Sequence, residues 1–153
     1  PVETVEAMAS ICLEAERAEE VTIDADFTNK RFGRIDQSIA MGALFTAYHL
    51  GCKAILALTE SGSTALWMSR YRSHTPIFGL TSQPVTQRRM ALYRNVQPLL
   101  MPNFGDRDTA LAAAEKILVD RGVLKPGDTY AITCGEPMGY PGGTNMLKVC
   151  LVG

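Results

Sequence analysis

The sequence predicts an α/β domain, a three-layer α/β/α sandwich around a five-stranded, mostly parallel sheet whose last strand is antiparallel. From residue 35 onward, short apolar runs alternate with segments of helical periodicity. That alternation is typical of parallel strands joined by crossover helices. A Gly- and Pro-rich loop without helical periodicity joins the last two apolar runs. Because a parallel crossover usually needs a helix, we expect the last strand to run antiparallel to the one before it.

The N-terminal segment is predicted to be a helix followed by a linker. Pro1 suits the start of a helix, since its missing N–H would have no partner there. Residues 21–34 are polar and irregular, and we expect a linker or an extended arm. The helix over residues 2–18, within a unit of residues 1–20, has apolar residues at helical spacing: Val5, Met8, Ala9, Cys12 and Ala15.

Residues 35–153 form the predicted α/β domain. Helices are expected over residues 36–50, 63–72, 84–93 and 106–121, and strands over residues 53–58, 76–80, 96–101, 129–134 and 146–152. Gly51 and Gly122 follow two of these helices, at the C-cap position that favours glycine. The packing face of the first of these helices is predicted from residues at helical spacing: Ile35, Ile39, Gly42, Ala43, Thr46 and Leu50.

Composition and charge exclude several classes of function. The formal net charge is −1, so there is no basic surplus of the kind that binds nucleic acid. No apolar run approaches the roughly 20 residues that span a bilayer, and the polar, acidic start does not resemble a secretory signal. The four cysteines lie in apolar stretches, which is typical of buried thiols in a reducing cytosol. The cysteines therefore predict a cytoplasmic location. His49 and His74 lack ligand-spaced neighbours, so we expect no metal site.

A hydroxyl-rich loop follows the first predicted strand and opens the next helix. It consists of Thr59, Glu60, Ser61, Gly62, Ser63 and Thr64. Hydroxyl and backbone N–H groups at such a turn bind phosphate or other anions. The spacing matches neither the P-loop nor the dinucleotide pattern. The alternative is an ordinary N-cap, in which Ser61 or Ser63 satisfies the orphan N–H groups of the helix.

A glycine-rich loop lies between the last two predicted strands. Its central residues are Gly139, Tyr140, Pro141, Gly142, Gly143 and Thr144. Glycine permits close approach of the backbone to a ligand, although a flexible hairpin is the alternative.

Trp67 could pack in the core or line a sugar pocket. No nucleophile–base set or carboxylate pair stands out, so no catalytic residue is predicted in this chain.

Several segments together resemble the C-terminal domain of bacterial pyruvate kinases, and the similarity covers essentially the whole chain. PVETVEAMASICLEAE at the start resembles the helix that closes the catalytic barrel of that family. The segments TESGSTA, YRNVQP, KPGDT and GGTN resemble motifs of its C-terminal domain. The resemblance implies the same α/β fold.

The resemblance also implies an allosteric effector site. The hydroxyl-rich loop would cradle the effector phosphate, and the glycine-rich loop would cover it. In eukaryotic members that bind fructose 1,6-bisphosphate, an arginine holds the second phosphate, and Ala110 aligns with that position here. Arg107 is the nearest basic residue upstream. This departure favours a sugar monophosphate or AMP-like effector, with Trp67 and Arg107 as candidate sugar contacts.

The resemblance further implies a larger assembly. The catalytic lysine, the Mg²⁺-binding acids and the K⁺ site of the family belong to the barrel, so this chain alone is not expected to be catalytic and needs no cofactor. It would join the rest of a pyruvate kinase chain in a homotetramer, partly through its last strand and the helix near Asp36. The chain begins at Pro1 without an initiator Met, which suggests a processed product or a fragment.

Two alternative functions stay open. One is a stand-alone phosphate-binding domain or enzyme for a small phosphorylated metabolite, in which Glu60 would be the best available base. The other is a purely structural oligomerisation module.

Overall fold

The computed structural model describes residues 1–18 and 31–153, so most of the predicted linker lies outside the described residues. The described helices are α1 Val2–Ala18, α2 Ile35–His49, α3 Ser63–Ser69, α4 Pro84–Met90 and α5 Arg107–Asp120. The described strands are β1 Ala54–Leu58, β2 Ile77–Thr81, β3 Val96–Leu100, β4 Thr129–Gly135 and β5 Thr144–Leu151. α3 and α4 end earlier than predicted.

The five strands form one sheet in the order β3-β2-β1-β4-β5. β1 is parallel to β2 and β4, and β2 is parallel to β3. β5 pairs antiparallel with β4, as predicted. All five residues of β1 and of β2 are buried, which is typical of parallel strands covered on both faces. The predicted fold class is confirmed.

Alternating residues of β1 divide the interior into two cores. Leu56 and Leu58 face the core that contains Leu118 of α5. Ile55 and Ala57 face the opposite core, which α2, α3 and α4 cover. The helices therefore lie on both sides of the sheet and leave its strand ends open to solvent.

The buried face of α2 differs from the predicted one. Ile35 and Leu50 were expected to pack, yet both are exposed. The buried residues of α2 are Asp36, Ala40, Met41, Ala43, Leu44 and Ala47. Three alanines on this face share a core with Ala57 and Ala131 of the sheet, so α2 can approach the strands closely. Ala43 is common to both faces. The exposed apolar residues Ile35 and Leu50 at the two ends of the helix made periodicity indicate a face that is rotated from the one containing Met41 and Leu44.

The prediction that all four cysteines are buried is wrong for Cys12. Cys52 and Cys134 are buried and Cys150 is half-buried, whereas Cys12 is exposed on α1. The apolar side of α1 is likewise exposed, including Val5 and Met8. None of the described helices is long and apolar enough to cross a membrane.

Gly79 in β2 generates the first testable prediction. A Cβ at this position would lie 2.6 Å from Sδ of Met90 in α4, so Gly79→Ala forces the buried Met90 side chain to move. We expect the free energy of unfolding to fall by about 1–3 kcal/mol, measured by urea denaturation. Met90→Ala alone should also be costly, because it leaves a cavity. The double variant should cost less than the sum, and additive costs would contradict the contact. Gly105→Ala, which meets open space, is the matched control.

Candidate functional site

A crevice opens at the carboxyl ends of the strands. The chain runs from β1 outward to β2 and β3 and then returns to β4 on the other side of β1, which makes a topological switch point. Ligands of open α/β sheets bind at such a point. The crevice is lined by residues that follow β1, β2 and β3 and by the β4–β5 loop, among them Thr59, Glu60, Ser82, Asn103, Gly135, Met138, Gly139, Tyr140 and Thr144. The crevice is thus lined by Thr59 and Glu60 of the hydroxyl-rich loop and by Gly139, Tyr140 and Thr144 of the glycine-rich loop, whereas residues 61–64 are not among its lining residues.

The hydroxyl-rich loop is a compact turn that packs against α4. The N–H of Gly62 donates to Oγ1 of Thr59 at 2.9 Å, and Oγ1 of Thr86 donates to the carbonyl of Glu60 at 2.8 Å. Gly62 has a φ of 79°, in the left-handed region that favours glycine. A Cβ there would lie 3.1 Å from Cγ of Met90. The turn is thus shaped by its own hydrogen bonds and by packing on α4.

The serine hydroxyls of this loop point to one another. Oγ of Ser61 donates to Oγ of Ser63 at 3.2 Å and accepts from the N–H of Ser63 at 3.4 Å. Oγ of Ser63 lies 3.4 Å from Oδ2 of Asp36 and donates to it. The N-cap of α3 is Gly62, which has no side chain, so neither serine is the N-cap residue. The N–H of Ser63, which donates to Ser61 here, is also a group that an anion could use.

Asp36 is a buried carboxylate that joins the start of α2 to the hydroxyl-rich loop. Its side chain is only 1% exposed. Arg34 binds it through two hydrogen bonds, from Nε to Oδ1 at 2.9 Å and from Nη2 to Oδ2 at 2.8 Å, and the N–H of Gln37 adds a third at 2.9 Å. The hydrogen bonds from Arg34 hold the pKa of Asp36 below its usual value, although burial opposes them. Asp36 is therefore ionised at neutral pH.

The pairing of Arg34 with Asp36 is not indicated by the sequence pattern, which places Arg34 in the linker and Asp36 at the start of a helix. The contact between Asp36 and Ser63 spans 27 positions of the chain. No local motif marks such a contact, because tertiary packing alone brings the two residues together.

The glycine-rich loop lies against Arg34. Gly142 has a φ of 71°, and a Cβ at this residue would lie 3.1 Å from Nη2 of Arg34. At the base of the loop, a Cβ at Gly135 would lie 2.8 Å from the carbonyl oxygen of Gly143. The amide of Asn145 accepts from the N–H of Glu136 at 2.9 Å and donates to its carbonyl at 2.7 Å. These close approaches explain the glycines, and they hold the loop beside the crevice.

A buried hydrogen bond joins the two loops directly. Oγ1 of Thr64 and Oγ1 of Thr144 are 2.7 Å apart and both residues are buried, although 80 positions separate them. The last residue of the hydroxyl-rich loop is thus tied to the last residue of the glycine-rich loop.

Arg107 lies in a groove that continues from the crevice. Its Nε donates to Oδ1 of Asp108 at 2.9 Å, and its Nη1 lies 3.4 Å from Oε2 of Glu136. Asn103 and Met138 line both the groove and the crevice.

The other residues considered by sequence analysis lie away from the crevice. Ala110 lies in α5 and is fully buried in the core that this helix covers. Trp67 packs against the α2 core, and the Arg70 guanidinium lies 4.6 Å from the centre of its ring. It is not among the described residues that line the crevice.

The described residues hold no cluster of three or more His, Cys, Asp or Glu suited to a metal ion. What the geometry defines is a three-layer α/β domain with a hydroxyl- and glycine-lined crevice at its switch point. Residues 37–150 match the family model described as pyruvate kinase, alpha/beta domain. The chain belongs to this family, as the sequence resemblance indicated.

Curated relatives extend the match over nearly all of the chain. It is 37% identical to the pyruvate kinase of Buchnera aphidicola subsp. Baizongia pistaciae and 38% identical to pyruvate kinase II of Salmonella typhimurium, in each case over 99% of the chain and 32% of the relative. It is 36% identical to the pyruvate kinase of Staphylococcus aureus strain USA300, over 100% of the chain and 26% of the relative. The chain therefore spans about a third or less of the length of these relatives.

The hydrogen bond between Thr64 and Thr144 generates the second prediction. Thr64→Val removes one hydroxyl and leaves the buried hydroxyl of Thr144 without this partner, so we expect a loss of about 1–3 kcal/mol in the free energy of unfolding. Adding Thr144→Val removes the unsatisfied group and should recover part of that loss. Chemical denaturation of both single variants and the double variant measures the coupling. A double variant as costly as the sum of the singles would show that the two hydroxyls do not interact.

Proposed function

We propose that the chain is the effector-binding and oligomerisation domain of a pyruvate kinase, an enzyme that transfers a phosphoryl group from phosphoenolpyruvate to ADP. The observation that supports this most is the junction of the two predicted loops at the switch point, tied by the hydrogen bond between Thr64 and Thr144. A hydroxyl-rich turn and a glycine-rich cover at one crevice suit a phosphorylated small molecule. The family membership and the crevice point to the same role.

The phosphate would be bound by the hydroxyl-rich loop. Phosphate oxygens accept hydrogen bonds strongly, and the hydroxyls of Ser61 and Ser63 can turn from each other toward such an acceptor. Tyr140 is exposed and lines the crevice, so its ring can cover the rest of the ligand. Glu60 and Asn103 on the same walls offer polar groups to sugar hydroxyls.

A sugar monophosphate or AMP-like effector fits better than a bisphosphate. The cation in the adjoining groove is Arg107, and its charge already meets Asp108 and Glu136. A second phosphate would have to compete with both carboxylates. Arg107 remains a candidate contact to the sugar or base, because its groove adjoins the crevice. A ligand confined to the crevice would not contact Trp67, which is not among the lining residues.

The remainder of a pyruvate kinase chain would complete the protein. The relatives are about three to four times as long as this chain. α1 exposes an apolar side that includes Val5, Met8 and Ile11. We assign α1 to the closing helix of the catalytic barrel, where that side would be buried. Phosphoryl transfer, with its Mg²⁺ and K⁺, would then belong to the barrel, and the cytoplasm would be the location of the whole enzyme.

The test of effector binding is calorimetry of this chain with glucose 6-phosphate and AMP, and with glucose as the uncharged control. We expect at least one phosphate to bind and Ser61→Ala to weaken it by about 1–3 kcal/mol, because a hydrogen bond to a charged acceptor is lost. Ser10→Ala on the exposed face of α1 is the matched control. Absence of binding by both phosphates, or undiminished affinity in Ser61→Ala, would count against the proposal.

Self-association would use β5 and α2. β5 is an edge strand with an unpaired outer side, and Lys148 is its one charged residue. Val149 and Leu151 are exposed on the strand, and α2 exposes Phe45 and Tyr48. Natural proteins seldom leave such an edge bare, and pairing with a second copy across a two-fold axis would satisfy its backbone groups.

Sedimentation at high micromolar concentration tests the association. We expect a dimer that Leu151→Lys weakens, because the new charge would be buried at the pairing edge. Leu92→Lys is the matched control, since Leu92 is 87% exposed and lies just before β3, at the far edge of the sheet. A chain that stays monomeric throughout, or an equal effect of both substitutions, would refute this interface.

A further inference from the structure

We infer that Arg34 binds the effector phosphate, and that Asp36 occupies Arg34 in the free chain and competes with the phosphate for it. This inference rests on the proposed function and adds to it a residue outside both predicted loops. It starts from a charge deficit in the proposed site. The hydroxyl-rich loop contains one charged residue, Glu60, and no lysine or arginine. The described residues that line the crevice likewise include Glu60 and no basic side chain.

A phosphate dianion beside Glu60 needs a positive charge close at hand. Hydroxyl groups donate hydrogen bonds but do not neutralise a charge. Arginine suits phosphate because its guanidinium can donate two parallel, charge-assisted hydrogen bonds. Arg107 lies in the neighbouring groove and is held by Asp108 and Glu136. The cation at the junction of the two loops is Arg34.

The contacts of Arg34 place it at that junction. Its Nη2 and Oγ of Ser63 donate to the same oxygen, Oδ2 of Asp36, at 2.8 Å and 3.4 Å. Two donors that share one acceptor are close enough for a phosphate group to bridge them. Gly142 of the glycine-rich loop lies beside the same pair of groups, since a Cβ added there would be 3.1 Å from Nη2 of Arg34 and 3.9 Å from Oδ2 of Asp36. The Arg34 side chain is 56% exposed, so it can reach a ligand from solvent.

Asp36 then acts as a built-in anion that occupies the phosphate-binding groups in the free chain. Its carboxylate accepts from Arg34 and from Ser63, which are the two groups that a phosphate would use. When a phosphate binds, Ser63 and one edge of Arg34 turn to the phosphate oxygens. Asp36 keeps its hydrogen bond from Gln37 and its remaining contact with Arg34. Asp36 therefore competes with the ligand for Arg34 and Ser63.

Two variants isolate Arg34 without leaving a buried, unpaired charge. Arg34→Gln alone would strand the Asp36 carboxylate and endanger folding. Asp36→Asn keeps Arg34 and removes the competing anion, so we expect phosphate affinity to rise about three-fold or more. Asp36→Asn with Arg34→Gln differs from it only at residue 34. We expect its affinity for inorganic phosphate, glucose 6-phosphate and AMP to be about ten- to a hundred-fold lower than that of Asp36→Asn.

The controls separate a charge contact from a structural effect. Asp36→Asn with Arg121→Gln makes the same change of charge at the C-cap of α5 and should bind like Asp36→Asn. Asp36→Asn with Arg107→Gln tests the rival cation and should lose much less affinity than the Arg34 variant. The dependence of affinity on salt should be steeper with Arg34 present, because an ionic contact is screened. Far-UV circular dichroism and a cooperative urea transition report that the variants are folded, because the Trp67 side chain contacts Asp36 and its fluorescence would respond to the substitution itself.

The outcomes distinguish this inference from the proposed function. If the unmodified chain binds phosphates and the two variants differ as stated, both stand. Equal binding by Asp36→Asn and its Arg34→Gln derivative, with equal salt dependence, would overturn the role of Arg34 and leave the effector site intact. If the unmodified chain and Asp36→Asn bind none of the three probes, the proposed function and this inference fail together.

Discussion

The bidentate hydrogen bond between Arg34 and Asp36 holds three separate parts of the molecule together. Asp36 lies in the first turn of α2, its carboxylate accepts from Ser63 at the start of α3, and Arg34 touches Gly142 of the glycine-rich loop. A buried carboxylate is costly unless it is paired and hydrogen-bonded. The conformation of both loops is thus linked to the position of α2. That helix also carries exposed aromatic residues on the proposed self-association face.

Strand order supplies the second constraint. Because β4 returns to the side of β1 opposite β2, the loop after β4 meets the loop after β1. The antiparallel return of β5 then places Thr144 against Thr64. The strand that begins at the site is also the exposed edge of the sheet. A ligand that moves the glycine-rich loop would therefore also move β5, the strand proposed to pair with a second copy. Ligand binding and self-association would then be coupled, because both would depend on the position of the same strand.

Small residues allow α4 and α2 to pack closely beside the candidate site. Met90 of α4 lies against both Gly62 in the hydroxyl-rich loop and Gly79 in β2. A Cβ at Gly79 would lie 2.6 Å from Sδ of Met90, and a Cβ at Gly62 would lie 3.1 Å from its Cγ, so a side chain at either glycine would displace Met90. On the other flank, the alanine face of α2 lets the helix lie near the strands. The turn at Gly62 is consequently supported by the core and does not depend on its own hydrogen bonds alone.

Sequence by itself determined the elements, the fold class, the antiparallel last strand and the two loops of the candidate site. These follow from local periodicity, from turn residues such as Gly51 and Gly122, and from the need of a parallel crossover for a helix. Resemblance to a family added the proposed effector, which neither periodicity nor composition could supply.

Only the tertiary structure decided which residues meet. It showed the buried face of α2 and the exposure of Cys12, each against the sequence-based expectation. It also brought Asp36 to Ser63 and Thr64 to Thr144, across 27 and 80 positions of the chain. Local propensity describes how a segment folds on itself. Contacts between distant segments depend on how the helices and strands pack, and a small buried residue or a paired charge leaves no periodic trace in the sequence.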